Sequence, residues 1–314
     1  MNRGLERAAR TAAGNATAIG YVSGWRLVRL LPEPAARRLF DRIADRAHRR
    51  DGRSVQRLRQ NLARVRPDAT EQELEVLTHE AVRSYLRYWC ESFRLPSWPI
   101  EDLVRRTRTV REHILRDAYA QGNGVVVSLP HMANWDWAGA WACATGMPLA
   151  TVAERLEPER LFDEFVSYRR SLGMEILPLT RRQAHAGALA TDAAGVFGRL
   201  VEWVCGGGLV CLLADRDLSR SGVEVMLSGE RARMPSGPAL LARRTGAPLI
   251  PATLAYVGND MEITIHPAVP HQQGSDGLVA MMQGVADAFS GAVRARPQDW
   301  HMMQKVFVPD LGSQ

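Results

Sequence analysis

Two residues in one short stretch have the types and spacing for proton chemistry. His131 follows the apolar run Val125-Val126-Val127-Ser128-Leu129 and Pro130, and Asp136 follows His131 after four intervening residues. Histidine exchanges a proton near neutral pH, and a carboxylate on one ring nitrogen fixes the tautomer and leaves the other nitrogen as a base. The β-branched run reads as a buried strand, and Pro130 stops it. Asn134 is suited to cap a helix through Trp135-Asp136-Trp137-Ala138-Gly139-Ala140-Trp141. On one continuous helix, residues five apart point about 140° away from each other. Across a loop that enters a helix they converge, and Asp136 then orients His131. The same spacing also fits an ordinary strand-loop-helix corner, with a surface histidine and a first-turn aspartate favoured by the helix dipole.

Other polar residues stand where apolar runs end. Leu212-Leu213-Ala214 is followed at once by Asp215-Arg216-Asp217 and then by Arg220, and Thr151-Val152-Ala153 by Glu154. Sites of α/β sheets lie beyond the carboxyl ends of their strands, so His131 and Asp215 occupy the same kind of location. A salt-bridged loop is the plainer reading of the acidic-basic-acidic triplet. Arg169 precedes Gly173 at a predicted helix end, where it either complements the dipole or faces the site. Arg231 and Arg233 precede the helix beginning near Gly237, and arginines near free helix N–H groups can hold a phosphate. His301, within Asp299-Trp300-His301, is either a second site histidine or a satisfied core group.

The elements that must position these residues follow from periodicity. Residues 1–100 read as helical, with breaks at Pro32-Glu33-Pro34 and Pro67-Asp68-Ala69, and Thr70 with Glu73 forms a capping box. The stripe Tyr85, Tyr88, Trp89 and Phe93 reads first as core packing. From residue 100, apolar runs at 125–129, 149–152, 175–179, 209–214, 223–227, 249–256 and 261–266 alternate with helical stretches. The expected class is α/β: a mixed central sheet flanked by helices, with an N-terminal helical extension (1–100) on an α/β body (101–314) in one compact unit. The Ala-, Gly- and Arg-rich stretch 180–194 reads as a flexible insertion.

Composition narrows the function classes. The 314 residues are 46% hydrophobic and carry a formal charge of +6. The charge is uneven: residues 1–66 hold 16 Arg against 5 acids, so the remainder is net acidic. Apolar and aromatic residues, Tyr21, Trp25, Leu27, Leu30 and Leu31, surround Arg26 and Arg29, a composition that favours an anionic membrane surface over nucleic acid. No nucleic-acid-binding motif is present. The uncharged run Thr11–Trp25 is too short to span a bilayer and lacks the dense apolar core of a secretory signal. The expected place is the cytoplasmic face of the cell membrane, held peripherally. Cys90, Cys143, Cys205 and Cys211 lack ligand or disulfide spacing and read as buried reduced thiols, so no metal is expected.

Taken in order, these stretches resemble a known family. His-x4-Asp after a strand resembles the signature of glycerolipid and lipid A acyltransferases. The fuller likeness, over nearly the whole chain, is to the phosphatidylinositol mannoside acyltransferases of actinobacteria. It is carried by Gly24-Trp25-Arg26-Leu27-Val28-Arg29, Arg87-Tyr88-Trp89-Cys90-Glu91-Ser92-Phe93-Arg94, His131-Met132-Ala133-Asn134-Trp135-Asp136, Val152-Ala153-Glu154-Arg155, Tyr168-Arg169, Asp215-Arg216-Asp217, Arg233-Met234-Pro235 and Asp299-Trp300-His301-Met302. The resemblance implies an α/β body with a membrane-facing apolar groove, and transfer of palmitate from acyl-CoA to the 6-hydroxyl of the mannose on the inositol 2-position. It implies His131 as base, Asp136 as its orienting partner, and Glu154 and Arg169 in the site. The position of Asp215 is usually Glu in that family and completes the catalytic pair; Asp is one methylene shorter.

The chemistry is then direct acyl transfer. A sugar hydroxyl is a poor nucleophile at neutral pH, and a positioned base such as His131 contributes roughly 10²–10⁴-fold. Backbone N–H groups at the helix start after Asn134 would serve the oxyanion. Arg169, Arg216, Arg220 or Arg233 would bind the phosphates of acyl-CoA or of the phosphoinositol headgroup. No strand-borne nucleophile elbow is present, which disfavours an acyl-enzyme. No cofactor is expected beyond acyl-CoA as co-substrate. Two other readings share these residues: an acyltransferase using a lysophospholipid or another glycolipid acceptor, and a catalytically impaired membrane-binding homologue.

Overall fold

The computed structural model describes residues 24–25, 27–155, 159–179, 195–217 and 222–311. The insertion expected at 180–194 and Arg220 lie outside the described residues.

After helical residues at 24–25 and 27–30 come three helices: α1 (Glu33–Arg50), α2 (Arg53–Val65) and α3 (Glu71–Arg94). Pro34 sits in the first turn of α1, where its missing N–H is no loss. The capping box at the start of α3 is complete, with Thr70 accepting from the Glu73 backbone and Glu73 accepting from the Thr70 backbone. Short α4 (Ile100–Arg105) and β1 (Thr107–Val110) lead into the α/β body. There α5 (Glu112–Ala120), β2 (Val125–Leu129), α6 (Trp135–Ala144), β3 (Leu149–Glu154), α7 (Glu159–Ser171), β4 (Glu175–Leu179), α8 (Val196–Cys205) and β5 (Leu209–Leu213) alternate. The chain continues through β6 (Val223–Leu227), β7 (Glu230–Met234), α9 (Gly237–Thr245), β8 (Leu249–Val257), β9 (Asp260–Ile265), α10 (Gly274–Ala295) and α11 (Val308–Leu311).

The main sheet has seven strands in the order β1-β9-β8-β2-β5-β3-β4. Every pairing is parallel except β8 with β9, so the sheet is mixed, as the alternation of apolar runs predicts. Strand β2 is buried along its whole length, as expected of a central parallel strand covered on both faces. Helix α6 is buried almost all round, which fits its apolar composition. Its Gly139 packs tightly: a Cβ there would lie 2.6 Å from Met174 Cε. Helices α9 and α10 pack on β2 and β8, and α10 turns Met281, Met282, Val285, Phe289 and Val293 inward.

Two expectations about elements are corrected. Residues 231–233 are not a helix approach but part of β7, which pairs with β6 in a separate antiparallel hairpin. Alternation of exposed Arg231 with buried Ala232 and Met234 is the period-2 pattern of such a strand. Of the four cysteines only Cys90 is buried; Cys205, at the frayed end of α8, is exposed.

The helical layer is tied to the body near the C-terminus. Asn61 Nδ2, fully buried on α2, donates to the carbonyls of Met302 (2.7 Å) and Gln304 (2.9 Å). Among the described residues no helix is long and apolar enough to cross a membrane.

Candidate active site

Strand register brings His131 and Asp215 together. Leu129 on β2 is paired with Leu213 on β5. Two residues beyond each lie His131 and Asp215, so parallel neighbours deliver both side chains to one place. The Ala214 N–H donates to the Leu129 carbonyl (2.9 Å), extending the pairing past the strand ends. His131 Nδ1 then lies 2.6 Å from Asp215 Oδ1, and the His131 backbone N–H donates to Asp215 Oδ2 at 2.9 Å. Trp300 Nε1 donates to the same Oδ2 at 2.8 Å. The expected orienting partner is corrected here: the imidazole is held by Asp215, not Asp136. The shorter side chain still reaches, because the register sets the two backbones side by side.

Asp215 is wholly buried. Burial alone would raise its carboxyl, but the His131 charge and the donors from His131 and Trp300 outweigh it and hold the acid below its ordinary value. A carboxylate only accepts, so Nδ1 carries a proton toward Asp215, and in the neutral ring the lone pair is on Nε2. Nε2 has no hydrogen-bond partner among the described residues, and the His131 side chain keeps 18% exposure.

Asp136 does other work. Asn134 caps α6 by accepting from the Trp137 N–H (3.0 Å), as expected. Ala133, buried and at φ +44°, turns the loop so that Asp136 faces α3 and α7. Its Oδ1 accepts from Arg169 Nε (2.7 Å), and its Oδ2 from the Tyr88 hydroxyl (3.0 Å). Burial would lower the Arg169 guanidinium, but Asp136 above all raises it, which keeps a desolvated cation charged. Gly173, at φ +88°, ends the helix that carries Arg169. Asn134 Nδ2 donates to buried Glu91 Oε2 (3.3 Å), and Glu91 in turn accepts from Arg87 Nε (2.7 Å) and Arg37 (3.3 Å). Helix α3 therefore braces both sides of the His131 loop.

Arg216 and Glu154 lie on the open side. Both are half-buried at strand ends. Burial lowers the Arg216 guanidinium, and the charges of Asp215 and Glu154 only partly offset this. No carboxylate lies within ion-pair distance of Arg216 among the described residues. Arg233 is not of this kind: on β7 it faces Glu224 at 3.7 Å across the hairpin.

His301 is enclosed rather than presented to a ligand, at 6% exposure. Ser84 Oγ donates to Asp299 Oδ1 (2.8 Å), so His301 Nε2, 3.0 Å from that Oγ, carries a proton and donates to it. Burial, with the His131 charge next, pushes the His301 imidazole down to about 3, so it stays neutral. Rings of Tyr85, Tyr88 and Trp135 surround it. Tyr88 and Phe93 of the aromatic stripe are core, as expected, whereas Tyr85 and Trp89 stay half-buried near the site. The hydrogen bonds of the Tyr88 hydroxyl to Asp136 and of the Trp300 indole to Asp215 are contacts that periodicity does not reveal.

Beneath α6 lies a narrow apolar cavity of about 120 Å³, below the roughly 300–1,000 Å³ usual for small-molecule sites. Alternate residues of the sheet, Val127 and Leu129 on β2 with Leu209, Cys211 and Leu213 on β5, form its floor, and Trp135, Asp136 and Arg169 line it too. The Asp136–Arg169 pair thus borders an apolar slot, and the Trp135 ring stands between that slot and His131, 5.3 Å from the imidazole.

An apolar slot, a histidine–carboxylate pair and placement at parallel strand ends are together the parts of an enzyme site on an α/β sheet. Over residues 9–308 the chain matches the model of the bacterial lipid A biosynthesis acyltransferase family, and it belongs to that family. It is an acyltransferase. It is 39% identical over 301 residues to the phosphatidylinositol mannoside acyltransferase of Mycolicibacterium smegmatis, spanning 96% of this chain and 94% of that protein. It is 40% identical over 299 residues to the phosphatidylinositol mannoside acyltransferase of Mycobacterium tuberculosis, spanning 94% of this chain and 90% of that protein.

Proposed function

We propose that this chain moves a long-chain acyl group, palmitoyl first among the candidates, from acyl-CoA to a mannose hydroxyl of a phosphatidylinositol mannoside. The observation that carries this reading is the His131–Asp215 pair at 2.6 Å, one side chain (Trp135) away from the apolar cavity. The acyl chain lies under α6, with its thioester at the polar end near Trp135. Nε2 of His131 takes the hydroxyl proton as the oxygen attacks the thioester carbon. Negative charge develops on the carbonyl oxygen, and the first-turn N–H groups of α6 not engaged by Asn134 are its donors. The imidazolium, stabilised by Asp215, then returns its proton to the departing coenzyme A thiolate, so no acyl-enzyme forms. Arg216 binds a phosphate of donor or acceptor, with Glu154 limiting its reach.

The same reading includes a peripheral membrane contact. Leu27 and Leu30 are 62% and 79% exposed, and Leu39 and Ile43 are exposed on α1 among Arg38, Arg42 and Arg46. Apolar residues set among arginines are the pattern of a face resting on anionic lipid. The acceptor is tested by supplying radiolabelled palmitoyl-CoA with a mannosylated phosphoinositide, a lysophospholipid or a lipid A-type sugar in parallel. Label entering the mannosylated lipid at the highest kcat/KM supports the reading, and preference for either other acceptor overturns the acceptor assignment.

A further inference from the structure

Trp300 is the one member of the His131–Asp215 cluster with no assigned role. Its ring is fully buried against Phe307, so it touches no substrate. A buried indole N–H needs an acceptor, and a backbone carbonyl would suffice. Here the acceptor is the acid itself, Asp215 Oδ2, at 2.8 Å. That oxygen also accepts the His131 backbone N–H, which leaves Oδ1 for the imidazole.

The strap that carries Trp300 also grips the His131 loop. His301 N–H donates to the His131 carbonyl (2.8 Å), Ala133 N–H donates to the Asp299 carbonyl (2.8 Å), and Met132 forms an isolated antiparallel bridge with Trp300. The strap is itself anchored, since Asp299 accepts from Ser84 Oγ on α3 and from the Tyr256 N–H on β8 (3.0 Å). Three consecutive residues therefore fix the backbone of the base, the orientation of the acid and the choice of carboxylate oxygen.

We propose that Trp300 is a positioning residue for acyl transfer: its indole N–H locks Asp215 so that Oδ1 meets the imidazole, and it moderates how strongly that carboxylate draws a proton onto His131. An N–H shared with a carboxylate disperses its negative charge. Removing it concentrates charge on the acid and makes His131 more basic. The ionisable groups whose charge acts on the pair are Arg216 after β5 and His301, with Glu154 on β3 and Tyr85 on α3 next to Arg216, and the substitution removes none of them.

The role of Trp300 in catalysis rests on the acyl-transfer reading above; its effect on His131 does not. The test is therefore made twice on the full chain. Histidine-labelled protein without substrate is titrated by NMR, with the His131 signal assigned by its loss in His131→Ala. In Trp300→Phe the His131 titration is expected to move upward by about one pH unit, the effect of losing one charged hydrogen bond. Benzothienylalanine placed at position 300 keeps the ring shape and replaces only the N–H, so it serves if the Phe variant folds poorly. In the transfer assay the ascending limb of the kcat/KM profile is expected to move by the same amount, with KM values changed by less than about twofold. An unmoved His131 titration in both variants overturns the proposal. A moved titration supports it even where the wild-type chain transfers no acyl group, an outcome that would sink the acyl-transfer reading alone.

Discussion

Replacing Asp215 by Asn removes one charge and almost no volume, and the hydrogen bonds around the carboxyl determine the consequence. The carboxylate accepts three N–H donors: His131 Nδ1 on one oxygen, and the His131 backbone and Trp300 on the other. An amide offers one oxygen only. Turned toward Nδ1, it leaves its NH₂ against two buried donors. Turned toward the two donors, it satisfies both and presents NH₂ to Nδ1, which must then lose its proton. Each unsatisfied buried N–H costs ~1–3 kcal/mol, so the second orientation wins by ~2–6 kcal/mol. His131 is then held with its proton on Nε2, the nitrogen that must act as base. Reaching the productive tautomer requires overcoming that difference, so kcat is expected to fall by ~10²–10⁴-fold. The assay is single-turnover acyl transfer with saturating donor, alongside circular dichroism to confirm folding. A variant within about threefold of wild type in kcat, or one changed in KM alone, refutes the assigned pairing.

The remaining expectations concern the groups around that pair. Asp136→Ala leaves Arg169 desolvated without its partner and is expected to destabilise the fold by ~3–5 kcal/mol in urea unfolding; a loss below ~1 kcal/mol would contradict a structural ion pair there. Gly139→Ala sets a methyl 2.6 Å from Met174 Cε, a flexible tip that must swing toward the cavity. The variant should fold, lose no more than ~1–3 kcal/mol, and shift its donor preference toward shorter acyl chains; an unchanged chain-length profile would place the acyl group elsewhere. His301 titrates near 6.5 unfolded and about 3 folded, so the unfolded chain binds the extra proton. Its contribution to stability is present above pH 6.5 and is lost as pH falls toward 3, and His301→Gln should flatten that part of a melting-temperature profile. An acid limb equally steep in the variant would assign the effect to other groups.

Much of the scaffold was legible because buried parallel strands are continuous apolar runs. The runs at 125–129, 175–179 and 223–227 are strands with those bounds, and Asn134 and Thr70 cap the helices that their side chains announce. Strand-end logic also put His131 and Asp215 in one kind of place. What spacing could not decide was which acid turns to the imidazole. Asp136 is near in sequence but is rotated away once Ala133 adopts a left-handed conformation, whereas Asp215 is 84 residues distant and is delivered by register. Register depends on long-range pairing, which leaves no local periodic trace. Arg233 was misplaced for the converse reason: a short polar hairpin strand resembles a loop until its partner is seen. Tyr88 reads as core because its ring is core, and the contacts that tie Tyr88 and Trp300 to the two acids depend on the direction of one O–H and one N–H, which no pattern of residue types carries.

The central claim is that His131 is the base for moving an acyl group onto a mannosylated phosphoinositide. The most direct measurement incubates wild-type protein and His131→Ala with radiolabelled palmitoyl-CoA and that acceptor, and counts label in the purified glycolipid. Label is expected in the mannose-linked ester with wild type, with a loss of at least ~10²-fold in His131→Ala. Undiminished transfer by His131→Ala would contradict it.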